Sequence, residues 1–207
     1  MTEEKDLLDI EDEVHPHWDE SPNYHFFWGG PCSQWAESPF EEFGETFNTA
    51  EQFMMAAKAK VFGDDETYAK IMAASAPNDQ KKLGRQVKNF DADKWNAVSR
   101  DYVTLGNYDK FTQNPEFKKF LIVNIDKFFV EASPYDKIWG IGLGENAAGI
   151  DNPANWKGLN WLGQCINRAR DIIVAESAEI DLKGDEQDRS IVLSEIETLR
   201  ERLNWNK

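Results

Sequence analysis

The sequence is poor in cysteine and histidine, and it lacks any long apolar run. Its 207 residues include two cysteines, Cys32 and Cys165, and three histidines. No C-x-x-C pair occurs, and no Cys/His spacing matches a zinc site, so no metal is expected. Two cysteines make no disulfide framework, so a reducing, cytoplasmic compartment is expected. The first twenty residues, "MTEEKDLLDIEDEVHPHWDE", are acidic and lack the apolar core of a secretory signal. Nowhere do ~18 apolar residues follow one another, so no membrane span is expected. His15 and His17 fall in that acidic stretch, and nothing around His25 resembles a nucleophile–His–Asp system. Neither G-x-S-x-G, a phosphate-binding P-loop nor a dinucleotide fingerprint is present. "GIGLGENAAG" has the glycines of a phosphate loop but opens no clear helix. Basic residues are also scarce: 23 Lys and Arg stand against 38 Asp and Glu, for a net charge of −15. Such a surface is unsuited to gripping an extended duplex, although a local basic pocket for one or two phosphates remains compatible with it.

The chain does have apolar and aromatic residues, at 41% hydrophobic with eight Trp. That is enough for one domain with a core of ordinary size. The tryptophans suit either the core or the walls of a cleft. Residues 1–20 read as an acidic, weakly ordered tail, 21–178 as the folded domain, and 179–207 as a linker and C-terminal amphipathic helix. Within the domain, "YHFFWGGPCSQW" reads as a strand entering a turn, and "SPFEEFGETFN" as a hairpin turning at Gly44. Thr49 and Gln52 form a T-x-x-Q capping box that opens a helix running to about Phe62. Further helices are expected over about 65–74, 78–88, 91–113, 115–125 and 159–177, with a strand at "KFFVEAS" and a loop between it and the last of these. Charged residues 179–190 read as the linker. Val192, Ile196, Leu199 and Leu203 then step by four, three and four, a stripe that either docks on the domain or mediates self-association. The fold class is α+β, mostly helical: a single compact domain with a few short strands.

Three constellations can carry chemistry. Glu51, second in its helix, is placed to favour the helix dipole, worth about 0.3–1 kcal/mol. It also shares a face with Met55, Lys58 and Phe62, where desolvation would raise its pKa and suit it to proton transfer. Lys81, Arg85 and Lys88 fall on one face of the expected 78–88 helix, either as a solvated stripe or as a cradle for phosphate. In "EASPYDKIWGIG", Glu131 ends a strand, Asp136 follows in a turn and Trp139 precedes Gly140. Carboxylates beside an aromatic plate suit a nucleoside pocket, although Asp136 also suits a turn cap.

The ordered blocks "FFWGGPCSQW", "SPFEEFGETFNTAEQFMMAAKAKVFGD", "PNDQKKLGRQVKNFDADKW", "EASPYDKIWGIGL" and "WKGLNWLGQCINRARD" together resemble the NADAR, or YbiA-like, family over about residues 24–175. The resemblance implies a YbiA-like fold and cleavage of an N-glycosidic bond. It implies a substrate with a ribose C1–N bond and a phosphate: either a phosphorylated ribosylamino-pyrimidine of riboflavin synthesis, or ADP-ribose attached to guanine. It places Glu51 in a T-[SA]-E block and Lys58 in the K-[AF] position that follows. Lys81, Gly84 and Arg85 match K-x-x-G-R, and Glu131, Asp136, Trp139 and Gly140 match E-x4-D-x2-W-G. Asn160 and Gly163 match N-x-L-G, with Arg170 beyond them. Some YbiA-like members carry Asp directly after W-G, where this chain has Ile141, which counts against the riboflavin intermediate. Glu51, Asp136 and Glu131 are thus the expected catalytic groups. Lys81, Arg85, Lys58, Trp139, Gly140, Asn160, Trp28 and Trp35 are the expected substrate contacts. No cofactor is implied, and the expected partner is a small phosphorylated nucleoside or an ADP-ribosylated nucleotide. A non-catalytic module binding ADP-ribose or NAD would use the same cleft.

Overall fold

A computed structural model describes residues 23–177 and 186–206. The acidic tail expected at 1–20 lies outside them. Four strands and seven helices follow in the order β1 Tyr24–Phe27, β2 Phe40–Glu42, β3 Glu45–Phe47, α1 Ala50–Val61, α2 Asp65–Ala73, α3 Pro77–Gly84, α4 Ala92–Gln113, α5 Pro115–Val123, β4 Phe128–Glu131, α6 Trp161–Glu176 and α7 Glu186–Leu203. The α+β, mainly helical expectation holds. The last helix begins at Glu186, inside the stretch read as linker.

The strands form two small sheets. β2 and β3 are the expected hairpin, turning through Phe43 (φ 53°) and Gly44 (φ 80°), the pair of positive φ values that a two-residue hairpin turn demands. β1 and β4 pair in parallel across about a hundred residues, with Phe27 opposite Glu131. That register brings the ends of both strands, and the loops leaving them, to the same edge.

Helix α1 is the hub. It contacts α2, α3 and α4, and nine of its twelve residues are buried. Its alanines let neighbouring helices approach, and Phe53 fills the space beside them, ringed by Phe40, Phe47, Tyr102 and Trp205 at 5.0–6.2 Å between centroids. The start of α1 is capped nearly as expected. Thr49 Oγ1 accepts from the Gln52 amide, but the Gln52 side chain reaches Asn48 N, one residue earlier than a capping box requires. The Gln52 side-chain amide also donates to the carbonyls of Ile71, Met72 and Ala74, while Gln80 takes the Thr49 hydroxyl proton and donates to Asn48. The first turn of α1 is thereby tied to α2 and α3 through buried polar groups that are all partnered.

Helix α7 closes the core. Ile196, Leu199 and Leu203 are buried in it, so these three residues of the stripe dock on the domain, while the Val192 side chain lies outside what the structure describes. Arg200 bridges Glu42 on the hairpin (2.9 Å) and Asp109 on α4 (2.8 Å). Tyr102 donates to the Leu203 carbonyl. Among the described residues no helix is long and apolar enough to cross a membrane.

Gly106 sits inside α4, where glycine costs about 1 kcal/mol against alanine. A Cβ there would stand 2.6 Å from Phe53 Cδ1, so the missing side chain is what lets α1 and α4 meet. Phe53 is fully buried and has nowhere to move, so crowding, at about 1–3 kcal/mol, outweighs the propensity gain. Gly106→Ala is expected to lose up to about 2 kcal/mol of stability in urea unfolding. A stabilised variant would show that the helix pair is loosely packed.

Candidate active site

The hub helix and the strand-end edge face each other across a cavity of about 640 Å³. Helix α1 supplies Glu51, Met55 and Lys58. Lys81 comes from α3, and Arg85 from the residue that closes it. Glu131 comes from the end of β4, followed by Asp136 and Trp139 in the next turn. Trp28 and Trp35 flank a short 3-10 turn at Gly30–Cys32 and stand at the mouth.

Glu51 is only 5% exposed, walled by Met54 and Met55. Burial pushes its carboxyl above the usual range, and Asp136 adds to the rise. Lys81, a hydrogen bond from Trp35 and Arg85 pull the other way. Its dipole placement and its cavity placement therefore coexist in one residue. Glu131 is perturbed in the same direction. Burial, helped by Asp136 and Glu51, lifts it to about 7 against the pull of Lys81. Its Oε2 has no hydrogen-bond partner, an uncommon condition for a buried oxygen. Asp136 does cap a turn, as its other reading had it: Oδ1 accepts from the amides of Ile138 and Trp139. That turn fixes Trp139, whose ring stands edge-on to Trp161 at 5.7 Å.

The basic groups divide sharply. Lys60, Lys70, Lys82 and Lys88 each pair with a carboxylate on the surface. Among the described residues, Lys58, Lys81 and Arg85 have no such partner. Lys58 instead lies over Phe90 at 4.0 Å, and Lys81 over Trp35 at 5.8 Å. Burial and the nearby Arg85 lower the Lys58 pKa. Lys58, Lys81 and Arg85 thus line one cavity without a direct ion pair to a carboxylate among the described residues.

Three expected placements need correction. Lys88 does not share the face of Lys81 and Arg85. Helix α3 ends at Gly84, and the Lys88 amide is held by Asp64, which turns its side chain onto Glu66. Asn160 does not line the cavity. It is buried in the left-handed conformation, its Oδ1 accepting from the Glu131 amide and its Nδ2 donating to the Phe129 carbonyl. It therefore sets the position of β4 rather than touching a ligand. Gly140 is also a packing residue, since a Cβ there would lie 2.9 Å from Ser133 Cβ and 3.0 Å from the Glu131 carbonyl. Ile141, where some members carry Asp, is buried with Val130, Ala132 and Ile150, away from the cavity. The motif reading also missed lining residues. Tyr135, 85% exposed, pairs with Trp28 at 5.9 Å, and Gln34 and Trp95 complete the wall. Tyr135 lay within the quoted Glu131 block. Gln34 and Trp95 likewise lay within the quoted blocks "FFWGGPCSQW" and "PNDQKKLGRQVKNFDADKW" but were not singled out. Among the described residues, no group of three His, Cys, Asp or Glu side chains is placed to hold a metal ion.

Comparisons with known proteins bear on the family and the fold. The NADAR domain model matches residues 22–174. N-glycosidase R617 of Acanthamoeba polyphaga mimivirus is 43% identical over 166 residues, covering 73% of this chain and 97% of that protein. Protein irg-1 of Caenorhabditis elegans is 34% identical over 127 residues, 60% of each chain. The chloroplastic riboflavin biosynthesis protein PYRR of Arabidopsis thaliana is 28% identical over 113 residues, 53% of this chain but 17% of that one. The NMR structure of the E. coli protein YbiA superposes with a TM-score of 0.64 at 23% identity, covering 80% of this chain and 94% of that one, and so shares the fold. By the extent of the domain match, and by a relative matched over nearly its whole length, the chain belongs to the NADAR family.

Proposed function

We propose that the protein is an N-glycosidase that hydrolyses the C1–N bond of a phosphorylated ribosyl substrate. The observation that carries the reading is the convergence on one cavity of a carboxyl lifted to about 7, a second buried carboxyl and three cations without protein partners. The similarity to an N-glycosidase supports it.

Breaking a ribosyl C1–N bond develops positive charge at C1 and negative charge on the departing nitrogen. Water adds hydroxide to C1, and the nitrogen leaves with a proton. Glu51, its pKa raised by burial against the opposing pull of Lys81, the Trp35 indole and Arg85, is the group assigned to take the proton from water or to stabilise the cation at C1. Glu131, which keeps its proton up to about pH 7, delivers one to the leaving nitrogen. Asp136 orients the ribose hydroxyls with the oxygen its turn does not use. Trp139 stacks the base, with Trp28 and Trp35 walling the other side. Lys81, Arg85 and Lys58 hold the phosphate, and Arg85 offers it two parallel donors.

The deciding experiment incubates the protein with a phosphorylated ribosylamino-pyrimidine and, separately, with an ADP-ribosylated guanine oligonucleotide, and reads products by mass spectrometry. Release of ribose phosphate or of ADP-ribose identifies the substrate. Saturable binding of ADP-ribose with neither substrate cut would replace hydrolysis by the binding-module reading. On the substrate that is cut, Glu51→Gln is expected to lower kcat by at least ~100-fold without loss of fold. Lys81→Ala and Arg85→Ala are expected to raise KM far more than they lower kcat, and to raise KM much less for a substrate analogue lacking the phosphate.

The pH dependence follows from Glu131. Because its folded pKa lies above the ordinary glutamate value, the folded chain holds an extra proton from about pH 4.5 to about 7. Stability drawn from this group therefore falls as pH rises through that window. As proton donor it loses activity over the same upper limb. Glu131→Gln is expected to flatten both, gaining melting temperature over wild type at pH 8 but not at pH 4, while its kcat falls and loses the alkaline decline. A wild-type rate still rising at pH 9 would remove Glu131 as the donor.

A further inference from the structure

Lys110 lies in the middle of the protein with none of its surface exposed, and no catalytic role has been given to it. A lysine so placed ordinarily needs a carboxylate. Among the described residues it has none within ion-pair distance. Its Nζ makes one hydrogen bond, 2.8 Å to the carbonyl oxygen of Ser33, and lies 5.2 and 5.7 Å from the ring centres of Phe111 and Phe117. Burial brings the ammonium pKa down to about 7, and the titratable group that faces it is the Cys32 thiol, itself pushed up to about 12 by burial. The cost of burying this amine is met for a single contact, and that contact is to the segment behind the cavity mouth.

Ser33, Gln34 and Trp35 line the cavity. Two further bonds tie the same segment down. Asn107, one turn before Lys110 on α4, donates to Gln34 Oε1 at 2.9 Å, and the Gln34 carbonyl accepts from the Glu51 amide at 2.9 Å. A chain of contacts thus runs from α4 through residues 33–35 to the residue read above as the base, and to the indole that hydrogen-bonds it.

We propose that Lys110 is a positioning residue: it pins residues 33–35 from beneath, and so holds Trp35 and the first turn of α1 in register with the cavity. The proposal rests on the N-glycosidase reading for its effect on rate, but not for its effect on the loop. Lys110→Met keeps the length of the stem and its ring contacts while removing the amine. The Ser33 carbonyl keeps the Ala36 amide at 3.2 Å, so the variant leaves no orphaned acceptor and is expected to fold.

Two readouts separate the possibilities. Cys32 ends the 3-10 turn on this segment and Cys165 lies in α6, both buried and both free. In Lys110→Met, alkylation of Cys32 by iodoacetamide is expected to speed up by about 10-fold or more, with Cys165 unchanged. This needs no substrate, so it stands even if the N-glycosidase reading fails. On a substrate that wild type cleaves, kcat is expected to fall by about 10–100-fold. The double variant Lys110→Met/Trp35→Phe is expected to lose less than the product of the single losses. Unchanged Cys32 labelling, or equal acceleration at both cysteines, would overturn the pinning. Losses that multiply fully would show that Lys110 does not act through Trp35. If Lys110→Met does not fold, Lys110→Gln, which keeps a shorter donor, is read in the same labelling assay against the same two outcomes.

Discussion

The rest of the domain depends on the burial of the first turn of α1. A helix start carries unsatisfied amides, and this one also carries a carboxylate at a position that is 5% exposed. Each orphan group is answered by a particular residue. Thr49 takes the Gln52 amide, the Gln34 carbonyl takes that of Glu51, and Gln52 with Gln80 stitches the turn to the end of α2. The polar network that makes the burial tolerable also fixes the direction in which Glu51 points. Stability and chemistry share the same hydrogen bonds, which is why the site sits against the most densely packed helix.

Charge in the cavity follows the same economy. Burial raises the proton affinity of Glu51 and Glu131, Asp136 adds to both and Glu51 adds to Glu131, while Lys81 lowers it for the two buried carboxyls. Both buried carboxyls are held above the usual glutamate range and both feel Lys81, so the proton that hydrolysis at a ribosyl carbon must move is shared within one coupled pair. In a chain with net charge −15, three cations share this cavity with three carboxyl side chains, and Lys81 acts on both buried ones without pairing directly with either.

Much of this was legible in the sequence, where the physics was local. The Thr49 cap, the Gly44 turn and the Ile196–Leu199–Leu203 stripe depend on neighbours within a few residues, and each reappears in the structure. Glu51, Lys81, Arg85, Glu131, Asp136 and Trp139 were placed through ordered blocks, and all line one cavity. Long-range contacts were not legible. Nothing local tells that β1 will lie parallel to β4, that Lys88 will turn to Asp64 and Glu66, or that Asn160 will serve the backbone of β4 instead of a ligand. Lys110 is the extreme case, since a lysine in a helix reads as surface until the fold closes over it.

The Arg200 bridge to Glu42 and Asp109 has a consequence for synthesis. Asp109 is fully buried, and burial together with Glu42 makes its ionised form costly, so its cation must arrive before α4 can seat under the hairpin with both carboxylates charged. That cation sits near the C-terminal end of the last helix, and Trp205, packed on Phe43 and Phe53, follows it. A nascent chain holding everything up to α6 already carries every cavity-lining group but lacks the element that closes the core around them. The walls of the cavity and the core that backs them are thus supplied by different stretches of the chain, the walls by residues up to α6 and the closure of the core by α7.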